Sequence, residues 1–131
     1  MESVQDYNVL MSNILETYRK LRRNSDKLML LLRYYVTKVM QSGKTQWLRL
    51  CNRYILMAAL ALHLNGIVIA VDNIKWVLEQ TGSQFSRSQI SSSLKTFAVL
   101  KVVRPLKVKK NYRMYAVDPV FEQLLVKGIK L

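Results

Sequence analysis

A mostly helical domain with one small β-hairpin (α+β) is the fold class this sequence predicts, and three observations predict it. Apolar residues recur at helical spacing through most of the chain. Two short β-type runs, 101–104 and 113–117, flank a basic segment. Half of the 131 residues are apolar, enough for a real core. The formal net charge is +13, from 21 basic and 8 acidic residues. With this much periodic apolar content, that charge belongs to a folded body and not to a disordered tail.

Residues 3–41 read as helix, with neither Pro nor Gly before Gly43. Val4, Tyr7, Met11, Ile14, Tyr18 and Leu21 form a stripe at alternating spacings of three and four, resumed at Leu28, Leu32, Tyr35 and Val39. That spacing is coiled-coil geometry. Leu10, Leu15, Met29, Leu30 and Leu31 widen the face, and Asn24-Ser25-Asp26 offers a cap for a second helix. Two helical stretches are therefore expected, packed on the next helix or on a second subunit. Ser42-Gly43-Lys44 punctuates the chain, giving a helical extension over 1–43 that serves dimerisation and a domain over 44–131.

A third helix is expected from Thr45 to Leu64, closed by Asn65-Gly66. Its second half (Ile55, Leu56, Met57, Leu60, Leu62, Leu64) is apolar nearly all round, as in a central helix. The apolar run Tyr54 to Val71 approaches the length of a membrane span, but Asn65-Gly66 interrupts it. A core helix followed by a strand over 67–71 is expected instead, with no membrane partner. Asp72 suits the N-cap of a helix over 73–81 with Ile74, Val77 and Leu78 inward, stopped by Gly82. Ser86 opens the next helix, with Ile90, Leu94, Phe97 and Leu100 inward. Asp118-Pro119 starts a last helix carrying Val120, Leu124, Leu125 and Ile129.

Function is legible first in the charge. Between Gln80 and Val117 there is no acidic residue, but there are eight basic ones: Arg87, Lys95, Lys101, Arg104, Lys107, Lys109, Lys110 and Arg113. A folded segment that excludes carboxylates presents a positive field, and nucleic acid is the commonest polyanion. On helix 86–100 the face away from the core carries Arg87, Ser88, Ser91, Ser92 and Lys95. Short hydroxyl side chains let a helix sit close to a groove floor. Arg87 and Gln89, near its start, suit guanine and adenine edges. Lys107, Lys109, Lys110 and Arg113 crowd the hairpin, where Asn111 suits a tight turn, and they suit phosphates. A lesser cluster, Arg19, Lys20, Arg22, Arg23 and Lys27, either grips flanking phosphates or is merely solvated.

From residue 45 onward the order is helix, short strand, helix, tight turn, helix, two-stranded hairpin. This order resembles the winged helix-turn-helix family over about residues 45–118. Asp72-Asn73-Ile74-Lys75-Trp76-Val77-Leu78-Glu79-Gln80-Thr81-Gly82 stands as the first helix and turn. Ser86-Arg87-Ser88-Gln89-Ile90-Ser91-Ser92-Ser93-Leu94-Lys95-Thr96-Phe97 stands as the second, and Leu100-Lys101-Val102-Val103-Arg104-Pro105 enters the wing. The resemblance implies double-stranded DNA as partner, helix 86–100 in the major groove, and the 101–117 hairpin on phosphates or in the minor groove. A small transcriptional regulator is expected, acting as a homodimer through its N-terminal helices. The alternatives are a non-specific architectural DNA-binding protein and a winged-helix interaction subunit of a transcription or replication assembly.

Other classes find little support in the residues. Cys51 is the lone cysteine, so no intrachain disulfide forms, and a reducing interior is expected. The single histidine, His63, lacks ligand-spaced partners, so neither a metal nor a cofactor is expected. There is no Gly-rich phosphate loop, no Ser-His-Asp or Cys-His set and no paired carboxylates, so an enzyme is not expected. With no secretory signal at its start, the chain is expected in the cytoplasm, associated with DNA or the nucleoid.

Overall fold

The computed structural model describes residues 4–106 and 113–131, with side chains from Asp6 onward. It is mostly helical, with one small two-stranded antiparallel sheet. The N-terminal stripe becomes two helices, α1 (Val4–Arg23) and α2 (Ser25–Tyr34), divided by Asn24 alone. The cap expected at Asn24 does not form. Its Nδ2 turns back to donate to the Lys20 carbonyl at 2.8 Å, and no side chain caps α2. Beyond Tyr34 the backbone widens into a π turn, Tyr35–Val39, that buries the adjacent side chains of Tyr35 and Val36 together.

Most of the apolar stripe is covered by the chain itself. Ile14, Tyr18, Leu21, Leu28, Leu32 and Tyr35 are buried, whereas Tyr7 and Val39, expected in the same stripe, stay exposed. α1 lies along α3 (Arg53–Leu64), and α2 along the last helix, α6 (Pro119–Gly128). The α1–α3 pair is antiparallel. Asn65 at the end of α3 donates to the Thr17 hydroxyl at 3.0 Å, while Arg53 at its start meets Asp26 at 3.2 Å. Tyr35 and Phe121 close the α2–α6 contact edge to face, with ring centres 5.1 Å apart. Residues on both sides of Gly43 thus share one hydrophobic core.

The helix expected over 45–64 is in two pieces, a 3₁₀ turn at Thr45–Leu50 and then α3. Asn52 is the cause. Its side-chain oxygen accepts from the backbone N–H of Tyr54 (3.0 Å) and Ile55 (3.1 Å), so the α-helix starts there. Every residue from Ile55 to Leu62 is buried. The strand expected over 67–71 shrinks to one bridging residue, Ile69, because Val71 already belongs to α4 (Val71–Gln80). Asp72 therefore lies in the first turn of α4. The cap position goes to Ala70, whose side chain has nothing to donate or accept.

α5 (Arg87–Val99) leads into β1 (Val103–Pro105), which pairs with β2 (Tyr115–Val117) so that Val103 faces Val117 and Pro105 faces Tyr115. Ile69 adds to the outer side of β2, its N–H and C=O exchanging hydrogen bonds with Tyr115 at 3.3 and 2.8 Å. Lys101 and Val102, expected to begin the first strand, are used instead to end α5. The ends of α3, α4 and α5 share one pattern, in which Ile67, Ser83 and Val102 each donate back five residues to Leu62, Leu78 and Phe97. That motif needs a left-handed residue just before the donor. Gly66 (φ 77) and Gly82 (φ 84) serve twice, but the third is Lys101 (φ 64). A side chain there costs about 1–2 kcal/mol, against about 0.5–1 kcal/mol of extra unfolded-state freedom for glycine. Lys101→Gly is accordingly expected to raise stability by up to ~1 kcal/mol, read as a higher urea midpoint at unchanged m-value. A lower midpoint would mean the lysine side chain itself holds the fold.

Among the described residues, no helix is long and apolar enough to cross a membrane.

Candidate nucleic-acid interface

α4 and α5 are joined by residues 81–86, a connection fixed at both ends. At its start the Thr81 hydroxyl lies 3.2 Å from the Val77 carbonyl and 3.0 Å from that of Leu78, and Gly82 supplies the left-handed step. At its end Ser86 and Gln89 form a reciprocal cap. The Ser86 hydroxyl accepts from the Gln89 N–H at 3.1 Å, and the Ser86 N–H donates to Gln89 Oε1 at 2.8 Å. Such a pair satisfies two backbone donors that a helix start otherwise leaves open. α5 is thus held rigidly at the end from which a groove would be read.

Ile90, Leu94 and Phe97 anchor α5 from below, all fully buried. The outward face carries Arg87, Ser88, Gln89, Ser92 and Lys95, exposed as expected, with Ser91 only half-buried at its edge. The serine triplet splits three ways, because Ser93, at 8 % exposure, is largely buried like Thr96. Small size explains Ser93 without any reference to a ligand.

Two of the side chains expected to reach base edges are already occupied. Arg87 pairs with Asp72 across the α4–α5 gap, and Gln89 is bound into its own helix cap. The Ser86–Gln89 spacing carried the signal for the second of these. Nothing in sequence spacing announced the first, once Asp72 was assigned to a cap. Both Arg87 and Asp72 remain more than half exposed. Ion pairs of that kind contribute about 0–1 kcal/mol, little enough for a phosphate or a guanine to displace the carboxylate.

Along the hairpin, Lys101, Arg104 and Arg113 are exposed, and the ladder extends to the Leu106 N–H donating to the Met114 carbonyl at 2.8 Å. Lys107, Lys109, Lys110 and Asn111, expected at the hairpin tip and its turn, lie outside the described residues. Among the described residues, Lys95, Lys101, Arg104 and Arg113 have no carboxylate within ion-pair distance.

No family model, curated protein or solved structure matches this chain. The chemistry of the surface follows from its residues alone. Among the described residues, no three His, Cys, Asp or Glu side chains come together as a metal site. Burial pushes the Cys51 thiol up to about 11, and its Sγ leans on the Trp47 carbonyl, so at neutral pH it is not a thiolate. His63 is structural in placement. Its Nε2 lies 3.2 Å from Glu122 and its Nδ1 accepts from the Val117 N–H at 3.5 Å, tying α3 to α6 and β2.

Proposed function

We propose that the chain is a double-stranded-DNA-binding protein of the winged helix-turn-helix kind, acting as a small homodimeric transcriptional regulator. In this reading α5 enters the major groove and the 101–117 hairpin lies against phosphates or the minor groove. The observation that carries it is the α4–turn–α5 unit. Its second helix is capped and anchored, its outer face holds only hydroxyls, an amide and cations, and no acidic residue occurs from Thr81 to Ala116. The two-stranded sheet with Ile69 bridged to β2 supports the same reading, since it joins the segment before α4 to the hairpin base. Because much of the N-terminal stripe is covered within the chain, a homodimer through these helices would use what they leave exposed. On α2 that is Leu30 and Tyr34, one helical turn apart.

A second reading, non-specific architectural binding, is favoured by one particular: Arg87 and Gln89 are both engaged within the chain, leaving mainly serines and lysines outward. Mobility-shift titrations with a selected and a random duplex at two salt concentrations separate the readings. For a regulator, Arg87→Ala is expected to cost about 1–3 kcal/mol on the selected duplex and little on the random one. Equal losses on both duplexes point to architecture. No shift of either at about 50 mM salt, where phosphate contacts are strong, points to a protein-interaction subunit.

A further inference from the structure

We propose that the basic cluster at the junction of α1 and α2, completed by Arg53 of α3, is a second phosphate-binding surface that grips the backbone of the same duplex α5 enters. This rests on the DNA-binding reading above and extends it to residues well outside the α4–α5 unit and hairpin.

Arg19, Arg22, Arg23 and Lys27 are all exposed, and the one-residue break at Asn24 keeps the last of them close behind the others. Arg53 is drawn in from α3 by two contacts, 3.3 Å to the Ser25 hydroxyl and 3.2 Å to Asp26. Two carboxylates share the surface. Glu16 lies 3.7 Å from Arg19 and 3.6 Å from Arg23, and Asp26 meets Arg53. Five cations against two carboxylates leave a clear surplus, and among the described residues Arg22 and Lys27 have no carboxylate within ion-pair distance. The existing pairs are solvent-exposed and therefore weak, so phosphate oxygens can exchange for the carboxylates. Four of the five cations are arginines, whose planar forks match phosphate in a two-point contact that lysine does not make.

Position supplies the rest of the argument. α1 packs on α4 as well as on α3. Tyr18, one turn before Arg22, is buried beneath the cluster. Its hydroxyl makes no hydrogen bond of good geometry; burial raises the phenol, with the Thr81 hydroxyl and the Arg22 charge pulling the other way and Tyr54 also in range. Of these groups it is the Thr81 hydroxyl, on the first residue of the turn into α5, that lies nearest in kind to a hydrogen-bond partner for this buried phenol. The helix that carries most of the cluster therefore packs on the helix that leads into the carboxylate-free segment, and a duplex seated on α5 has phosphates on either side of the groove for it to meet.

The test compares salt dependence. Each phosphate contact contributes about 0.9 to the slope of log affinity against log salt. Arg22→Ala/Lys27→Ala should flatten the slope by about 1.8 and weaken binding roughly tenfold more at 50 mM than at 200 mM salt. Lys38→Ala/Lys127→Ala, which removes the same net charge elsewhere, should leave the slope near wild type. Arg22→Glu, checked for an unchanged circular-dichroism melt, should weaken binding further. If wild type binds and the Arg22/Lys27 variant keeps its slope, or both double variants flatten it equally, the second surface is overturned while the DNA-binding reading stands. If wild type binds no duplex at low salt, the DNA-binding reading itself falls, and an acidic protein or anionic membrane surface becomes the partner to try.

Discussion

Lys95→Glu should cripple duplex binding without disturbing the fold. Lys95 stands on the outward face of α5, one turn beyond Ser92 and Ser91, with no carboxylate within ion-pair distance among the described residues. Reversing its charge removes one attraction and plants the first acidic group in a segment that has none between Gln80 and Val117. A lost contact of this kind costs about 1–3 kcal/mol, and repulsion from phosphates adds to it, so a loss of at least roughly tenfold to a hundredfold in affinity is expected. The site is exposed, so the unfolding free energy should change by no more than about 0.5 kcal/mol. A mobility shift and a urea melt on the same preparation check both halves. Undiminished binding would mean that α5 does not face the duplex.

Leu21→Ala is expected to be the most destabilising of the changes considered, at about 2–5 kcal/mol. Leu21 is fully buried at the end of α1, in the same cluster as Leu60 of α3 and Phe121 of α6. The loss should appear in a single cooperative urea transition as a lower midpoint, with whatever concentration dependence the proposed homodimer gives the wild type left unchanged. If Leu21→Ala instead alters the concentration dependence of the midpoint relative to wild type, the stripe is satisfied between subunits.

That contrast marks how much the sequence disclosed. The helices of the second half, their inward faces (Ile74, Val77, Leu78; Ile90, Leu94, Phe97) and the paired β-runs were legible, because periodicity and glycine stops report burial directly. Polar side chains with more than one possible partner were not. Asp72 reads as a cap because it precedes a helical run, but the helix begins two residues earlier than that reading places it and the carboxylate is free to take Arg87. Asn52 lies inside a stretch whose spacing reads as one continuous helix, although it caps one. Coiled-coil spacing in α1 and α2 correctly indicated a long buried stripe. It carried no information on what buries it, since packing on α3 and packing on a second copy demand the same residues.

The α2–α6 contact bears on how this chain emerges from a ribosome. The buried face of α2 and Tyr35 pack on α6, which comes much later in the sequence, and the Tyr35 hydroxyl donates at 2.8 Å to the carbonyl of Lys101. At ~5–20 residues per second, the greasy side of the first helices waits roughly 5–20 s for its lid. Nascent chains stalled before Phe121 should therefore recruit holdase chaperones, and chains in which α6 has cleared the ribosome should lose that dependence.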